Sequence, residues 1–240
     1  KTVAGVYMGA RHVETRFEKL VSMGSELKIA AKDDGSLILA SGGEAHRYYP
    51  LSDDLWTDRS RDRLFVYRNE DGSVKRVSYA MGTNTAEPVS FLQSTDGFNA
   101  SLGLALGFSL LTFLSAWRRQ GREVETTGAG KWLALGQGAV AVFWLAFAGV
   151  IVWATGALTS LDLPDMQAAG WPPAALIGAM IAANLAAIGG LAAAIGVVPV
   201  FTRSGWSPWR KAHYLLFAAA GLFAVYELFV WRLILAPVSG

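Results

Sequence analysis

Polar and apolar positions follow two different patterns along this chain. Over residues 1–92 the apolar positions come in short runs broken by charge, and over 98–236 they merge into long stretches. Gln93-Ser94-Thr95-Asp96-Gly97 is a short polar segment between the two patterns and reads as a linker. In the first part, Val3–Tyr7 is strand-like. The runs Glu26–Lys32 and Ser36–Ser41 flank Asp33-Asp34-Gly35, and Arg63–Asn69 and Ser73–Ala80 flank Glu70-Asp71-Gly72. Asp-Gly between strand-like runs signals a hairpin, because glycine accepts the positive φ that such turns require. Phe17, Leu20 and Val21 lie at helical spacing and predict one short helix over Val13–Met23. A unit of about 90 residues buries only a little over 60% of its unfolded surface. A small antiparallel barrel or half-barrel of about six strands fits that size.

The second part holds four apolar stretches, Phe98–Trp117, Trp132–Thr155, Pro172–Val200 and Ala212–Leu235. Each reaches the ~20 residues that cross a hydrocarbon core of ~30 Å. Helices satisfy their own backbone hydrogen bonds in lipid, so a four-helix transmembrane bundle is expected. The predicted class is therefore α+β in two parts: an extracytoplasmic β domain (1–92), a linker (93–97) and a four-span helical domain (98–240).

The short loops set the expected orientation. Arg118, Arg119, Arg122 and Lys131 lie between the first two spans, and Arg203, Arg210 and Lys211 between the last two. The middle loop, 156–171, carries Asp162 and Asp165 and no lysine or arginine. The positive-inside bias puts loops 118–131 and 202–211 in the cytoplasm, and the β domain and C-terminus on the far side. Trp117, Trp132, Trp153, Trp171, Trp206, Trp209 and Trp231 fall near predicted span ends, where amphipathic rings settle. Trp144 is mid-span and Trp56 belongs to the β domain.

Composition sharpens this picture. The chain is 52% hydrophobic over 240 residues, too apolar for an ordinary soluble domain. A net charge of +2 gives no nucleic-acid footprint. With no cysteine, disulfides, thiolate metal sites and cysteine nucleophiles are excluded. His12, His46 and His213 lie far apart and in no ligand spacing, so neither a metal nor a haem is expected. No cofactor is called for.

Several residues are candidates for chemistry. Ser25-Glu26-Leu27-Lys28 is an S-x-x-K, the nucleophile signature of penicillin-binding proteins and serine β-lactamases. That chemistry needs the serine and lysine one helical turn apart. Here the segment reads as a strand, on which residues three apart point to opposite faces. Tyr67-Arg68-Asn69 supplies a Y-x-N by letter, but no K-T-G follows it. No catalytic residue is assigned. Arg11, Tyr48, Tyr49, Trp56 and Tyr67 are candidates to line a ligand site on the β domain, against the plainer reading as core or rim. Asp53, Asp54 and Asp58 are a weak cation candidate without the spacing of a calcium loop. Within the spans, Asn184 is expected to hydrogen-bond across helices. Glu227 and Arg232 are ionisable groups that are costly in lipid; Arg232 lies near the outer end and Glu227 about two turns deeper. Gly103 with Gly107, Gly178 with Ala182, and Ala186 with Gly190 have the small-x-x-x-small spacing of closely packed helices.

The arrangement of Gly5-Val6-Tyr7 with Arg11, Phe17-Glu18-Lys19-Leu20, Asp34-Gly35-Ser36-Leu37, Tyr49-Pro50-Leu51 and Arg63-Leu64-Phe65-Val66-Tyr67 with Asp71-Gly72 resembles a known layout. It is similar to the C-terminal region of bacterial serine hydrolases of the class C β-lactamase or penicillin-binding-protein-like type. Some of these carry a small lipocalin-like β domain and several membrane helices after the hydrolase domain. The resemblance implies a catalytic domain before Lys1, with the genuine S-x-x-K there. It implies that this chain is a non-catalytic accessory and anchoring portion in the bacterial inner membrane. Its partners would be the lipid bilayer and the upstream hydrolase domain. Two alternatives remain: a lipocalin-like binding or sensing module coupled to the helices, and a small membrane transporter or enzyme built on Glu227 and Asn184.

Overall fold

The computed structural model describes residues 2–9, 26–119, 127–159 and 174–235. The expected helix over 13–23, together with Arg11, Ser25 and Trp171, lies outside the described residues. The chain divides into two compact units, Lys1–Gly97 and Phe98–Gly240.

The first unit is a closed eight-stranded antiparallel barrel in which each strand pairs with the next and the last with the first. The strands are β1 (Gly5–Gly9), β2 (Leu27–Ala31), β3 (Leu37–Ser41), β4 (Glu44–Ser52), β5 (Leu55–Thr57), β6 (Arg63–Arg68), β7 (Val74–Tyr79) and β8 (Asn84–Pro88). Closure is made by Tyr7 opposite Pro88, Met8 opposite Glu87 and Gly9 opposite Ala86. The two Asp-Gly hairpins form as expected and are built alike. Gly35 and Gly72 both take φ 78°. In each turn the aspartate before the glycine accepts from the backbone N–H and hydroxyl of the serine after it: Asp34 from Ser36, Asp71 from Ser73. A third hairpin turns through Gly42 and Gly43, both at positive φ.

Eight strands form a barrel just wide enough for its own side chains to fill. Every strand contributes to that filling. Tyr7, Leu27, Ile29, Leu37, Leu39, Tyr48, Trp56, Leu64, Val66, Val77 and Ala86 make one buried core with Val3. The period-two spacing of Leu27/Ile29, Leu37/Leu39 and Leu64/Val66 is the alternation that sends one face of a strand inward. Residues 93–97 are not a free linker. Gln93 ends a 3-10 turn (Phe91–Gln93), Ser94 follows, and Thr95 opens a long helix. Gly97 is required there, because a Cβ would overlap the Phe91 carbonyl. Glu26, buried, accepts from the Thr95 N–H, and Lys28 donates to Asp96 at 2.7 Å.

The second unit is helical: α1 (Thr95–Arg118, which begins just before it), α2 (Gly128–Thr159), α3 (Ala174–Ile195), α4 (Val197–Arg203) and α5 (Pro208–Val230). α3 and α4 form one span, interrupted at Gly196, so among the described residues four spans are long and apolar enough to cross a membrane. The 24 residues of α1 rise about 36 Å at ~1.5 Å each, more than a hydrocarbon core needs. Large apolar side chains such as Leu110, Phe113, Trp132, Val152 and Ile188 are exposed on the outside, as a lipid-facing surface requires. This is a multi-pass membrane protein.

α3 packs between α2 and α5. Its adjacent glycines face different neighbours. Gly189 lies against Phe143 and Val140 of α2, and Gly190 against Val225 and Gly221 of α5 and the Trp144 ring. Gly178 meets Trp153. Gly103 and Gly107 differ from expectation: a Cβ at either would meet nothing, so this G-x-x-x-G is not used inside the bundle. The tryptophans also divide. Trp117, Trp132, Trp153 and Trp209 are exposed at span ends, but Trp206 and Trp231 are buried within the unit, as is mid-span Trp144.

Candidate functional site

Among the described residues of the first unit, a dense polar construction sits at one end of the barrel and centres on Asp62. This residue lies between β5 and β6, and its Oδ1 accepts from the N–H of Arg63 and Met81, each at 2.8 Å. Its Oδ2 accepts from the Tyr48 hydroxyl at 2.6 Å and the Ala80 N–H at 3.1 Å. The loop itself is held by Asp58, whose Oδ1 accepts from the Asp62 N–H at 2.8 Å and whose Oδ2 accepts from the Ser60 hydroxyl. Three non-glycine residues of this construction, Arg61, Ala80 and Met81, have φ between 50° and 69°. Such left-handed backbone is unfavourable for L-residues. It persists here because it aims the Ala80 and Met81 N–H groups at one carboxylate.

A depression of about 310 Å³ adjoins this cluster, with Glu44, His46, Tyr48, Asp58, Asp62 and Tyr79 among its walls. Burial alone would raise the pKa of Asp62. The hydrogen bonds from Tyr48, Met81, Arg63 and Ala80 outweigh it and hold the carboxyl below the ordinary range. Burial first, and then the Asp62 carboxylate, push the Tyr48 hydroxyl well above the usual tyrosine value. A carboxylate offers about four lone-pair sites, and all four are taken. Asp62 is thus a clamp on the β7–β8 turn, and Tyr48 remains a protonated donor to it. Sequence reasoning missed Asp62. Its signal is slight: a second aspartate four residues after Asp58, in a stretch rich in arginine.

Of the residues proposed from sequence to line a ligand site, the four described ones do not converge. Tyr48 and Trp56 point into the core, and the Trp56 indole donates to the Gly35 carbonyl at 3.3 Å. Tyr49 and Tyr67 are exposed on the outside. Arg47 covers the Tyr49 ring at 5.5 Å, and Arg76 covers Tyr67 at 4.6 Å. Asp54 is committed to Arg68 at 2.7 Å. Among the described residues no group of three or more His, Asp or Glu is placed to hold a metal ion. Lys28 of the S-x-x-K lies on β2, with its ammonium on Asp96.

Within the helical unit, Asn184 donates to the Met180 carbonyl of its own helix at 2.8 Å, not across helices as expected. Glu227 is fully buried on α5, and its carbonyl accepts from the Trp231 N–H. Arg232 follows the end of α5, with its guanidinium 5.2 Å from the Phe229 ring. A cross-helix polar contact forms elsewhere. His213 of α5 lies 3.1 Å from the Thr112 hydroxyl of α1, which also accepts from the Gln137 amide of α2 at 3.2 Å.

Comparisons with protein-family models, with curated proteins and with solved structures return no match to this chain.

Proposed function

We propose that this chain is the non-catalytic accessory and anchoring portion of an exported serine hydrolase of the class C β-lactamase or penicillin-binding-protein-like type. The observation that carries the non-catalytic part is the filled barrel. Its interior is occupied by Tyr7, Leu39, Tyr48, Trp56, Leu64 and their neighbours. A ligand inside would need the room those side chains take, so the barrel serves as a rigid outer surface and not as a container. The Lys28 ammonium is engaged by Asp96 from its place on β2, which supports the same reading. The hydrolase identity rests on the sequence resemblance. In this reading the spans hold the protein in the bacterial inner membrane. The basic loops face the cytoplasm, the barrel stands on the far side, and the catalytic domain lies upstream in the same polypeptide. The parent's substrates would be peptides, esters or β-lactam-like amides.

Two measurements test it. An antibody against residues 1–92 should detect, in the source membrane, a species much heavier than this chain that also takes a serine-reactive probe. A species of this chain's own size that takes no label would refute the hydrolase reading. The purified chain should hydrolyse no ester or β-lactam; turnover abolished by Ser25→Ala would refute the non-catalytic one.

A further inference from the structure

A second feature of the helical unit points to a ligand of a different kind. An apolar groove of about 240 Å³ runs along the bundle surface, walled by Trp132, Gly136 and Val140 of α2, by Ala193 and Gly196 at the end of α3, and by Tyr214 of α5. Tyr214 is fixed in that wall by its hydroxyl, which donates to the Ala193 carbonyl at 3.0 Å. The Trp206 ring packs edge-on against Tyr214 at 5.9 Å, and the Arg210 guanidinium lies over Trp206 at 3.7 Å. The Nε of Arg210 is buried and lacks a hydrogen-bond partner. An aromatic relay thus connects a cation to the groove wall. Lys131 directly precedes Trp132 at the same end, and Lys211 neighbours Arg210.

The described residues at this end carry charge of one sign. The end of α1, the start of α2, the end of α4 and the start of α5 carry Arg118, Arg119, Lys131, Arg203, Arg210 and Lys211. Among the described residues of the helical unit, Glu227 is the acidic residue, and it lies near the opposite end of α5. The sequence of the loop joining α1 and α2 adds Arg122, Glu123 and Glu125, so cations stay in excess at this end. An apolar groove on a lipid-facing surface, with an excess of cations next to its aromatic wall, is complementary to an amphipathic anion.

We propose that this groove holds one anionic phospholipid, with an acyl chain against Gly136 and Tyr214 and its phosphate between Arg210 and Lys131. The site is independent of the hydrolase reading and stands or falls separately.

The test uses the full chain in nanodiscs of phosphatidylcholine alone or mixed with phosphatidylglycerol, followed by native mass spectrometry. Phosphatidylglycerol should stay bound as a one-to-one adduct where phosphatidylcholine is lost. Arg210→Gln and Lys131→Gln should each weaken retention roughly fivefold, the value of about one juxtamembrane cation. Gly136→Leu, at a position where an added side chain meets nothing, should fill the groove and abolish the adduct in a folded protein. If Arg210→Gln fails to fold, Lys131→Gln and Gly136→Leu decide the matter. Arg118→Gln removes the same charge away from the groove and should leave retention unchanged. Equal retention of both lipids, equal loss with Arg118→Gln, or a thermal stabilisation in detergent reproduced by inorganic phosphate alone would each overturn the proposal. The last outcome would mark a free-phosphate site instead.

Discussion

The Tyr48 hydroxyl and the Asp62 carboxylate meet at 2.6 Å, joining β4 to the loop that enters β6. The same carboxylate collects the N–H groups of Ala80 and Met81, so one side chain fixes β4, the β5–β6 loop and the β7–β8 turn at one end of the barrel. Tyr48→Phe should cost about 1–2 kcal/mol, the worth of a hydrogen bond to a charged acceptor. Asp62→Ala, which leaves several donors without an acceptor, should cost roughly 3 kcal/mol. Urea unfolding of the full chain in detergent, read by hydrogen exchange on β6–β8, measures both. Equal small effects would show that the clamp is incidental.

The same group makes barrel stability depend on pH. The folded pKa of Asp62 is depressed below its ordinary value. Its contribution is therefore fully present above the unfolded pKa of about 4 and is lost as pH falls through the folded value. The urea midpoint should fall between neutral pH and pH ~3, and Asp62→Asn should flatten part of that fall. An unchanged slope in the variant would assign the acid sensitivity to other carboxylates.

Left-handed backbone at Met81 gives a gain-of-stability prediction. Its side chain is exposed and its φ is 55°. Met81→Gly removes a strain of about 1–2 kcal/mol and adds about 0.4–1 kcal/mol of unfolded-state entropy. A small net stabilisation should appear as a higher urea midpoint.

The glycines of the spans separate into two behaviours. Gly196→Ala would drive a Cβ into the Tyr214 hydroxyl, and Gly190→Ala would place one 2.8 Å from a Val225 methyl. Each should cost about 1–3 kcal/mol by overpacking. Gly103→Ala and Gly107→Ala enter open space and should be neutral or slightly stabilising in the monomer. Thermal unfolding of the four variants in one detergent distinguishes the classes.

Lys28→Met should change little. The Lys28–Asp96 pair is half exposed on both sides, and such pairs contribute less than about 1 kcal/mol. A large loss of stability would mean that this contact orders more than its own two side chains.

The two-part architecture was legible from sequence because it rests on strong local signals: twenty-residue apolar runs and Asp-Gly between alternating segments. Strands β4, β5 and β8 were not. β4 buries Tyr48 among residues that are otherwise exposed and contains Pro50, so it shows no alternation to read. β5 has three residues, and β8 (Asn84-Thr85-Ala86-Glu87-Pro88) buries only Ala86. These strands exist because closing the barrel supplies them with partners, and that is a non-local cause. Asp62 was hidden for the same reason, since its donors come from residues 14 to 19 positions away as well as from its neighbour. In the spans, small-x-x-x-small spacing marked Gly103 and Gly107 as readily as Gly190. Spacing reports the face of one helix, and only the position of a neighbour decides whether that face is used.

The pairing of β1 with β8 has a consequence in time. Tyr7 lies opposite Pro88, so the first strand cannot complete its pairing until nearly the whole first unit has been synthesised. Contacts so distant along the chain make folding slow, because a long loop must be ordered before the contact that rewards it forms. During synthesis β1 can lie against β2 on one side only, with its other edge unpaired. An unpaired edge is a template for pairing with another chain. The newly made β1 is therefore the segment on which a folding helper would act, and mutations that weaken β8 should lower the yield of folded barrel before they lower its stability once closed.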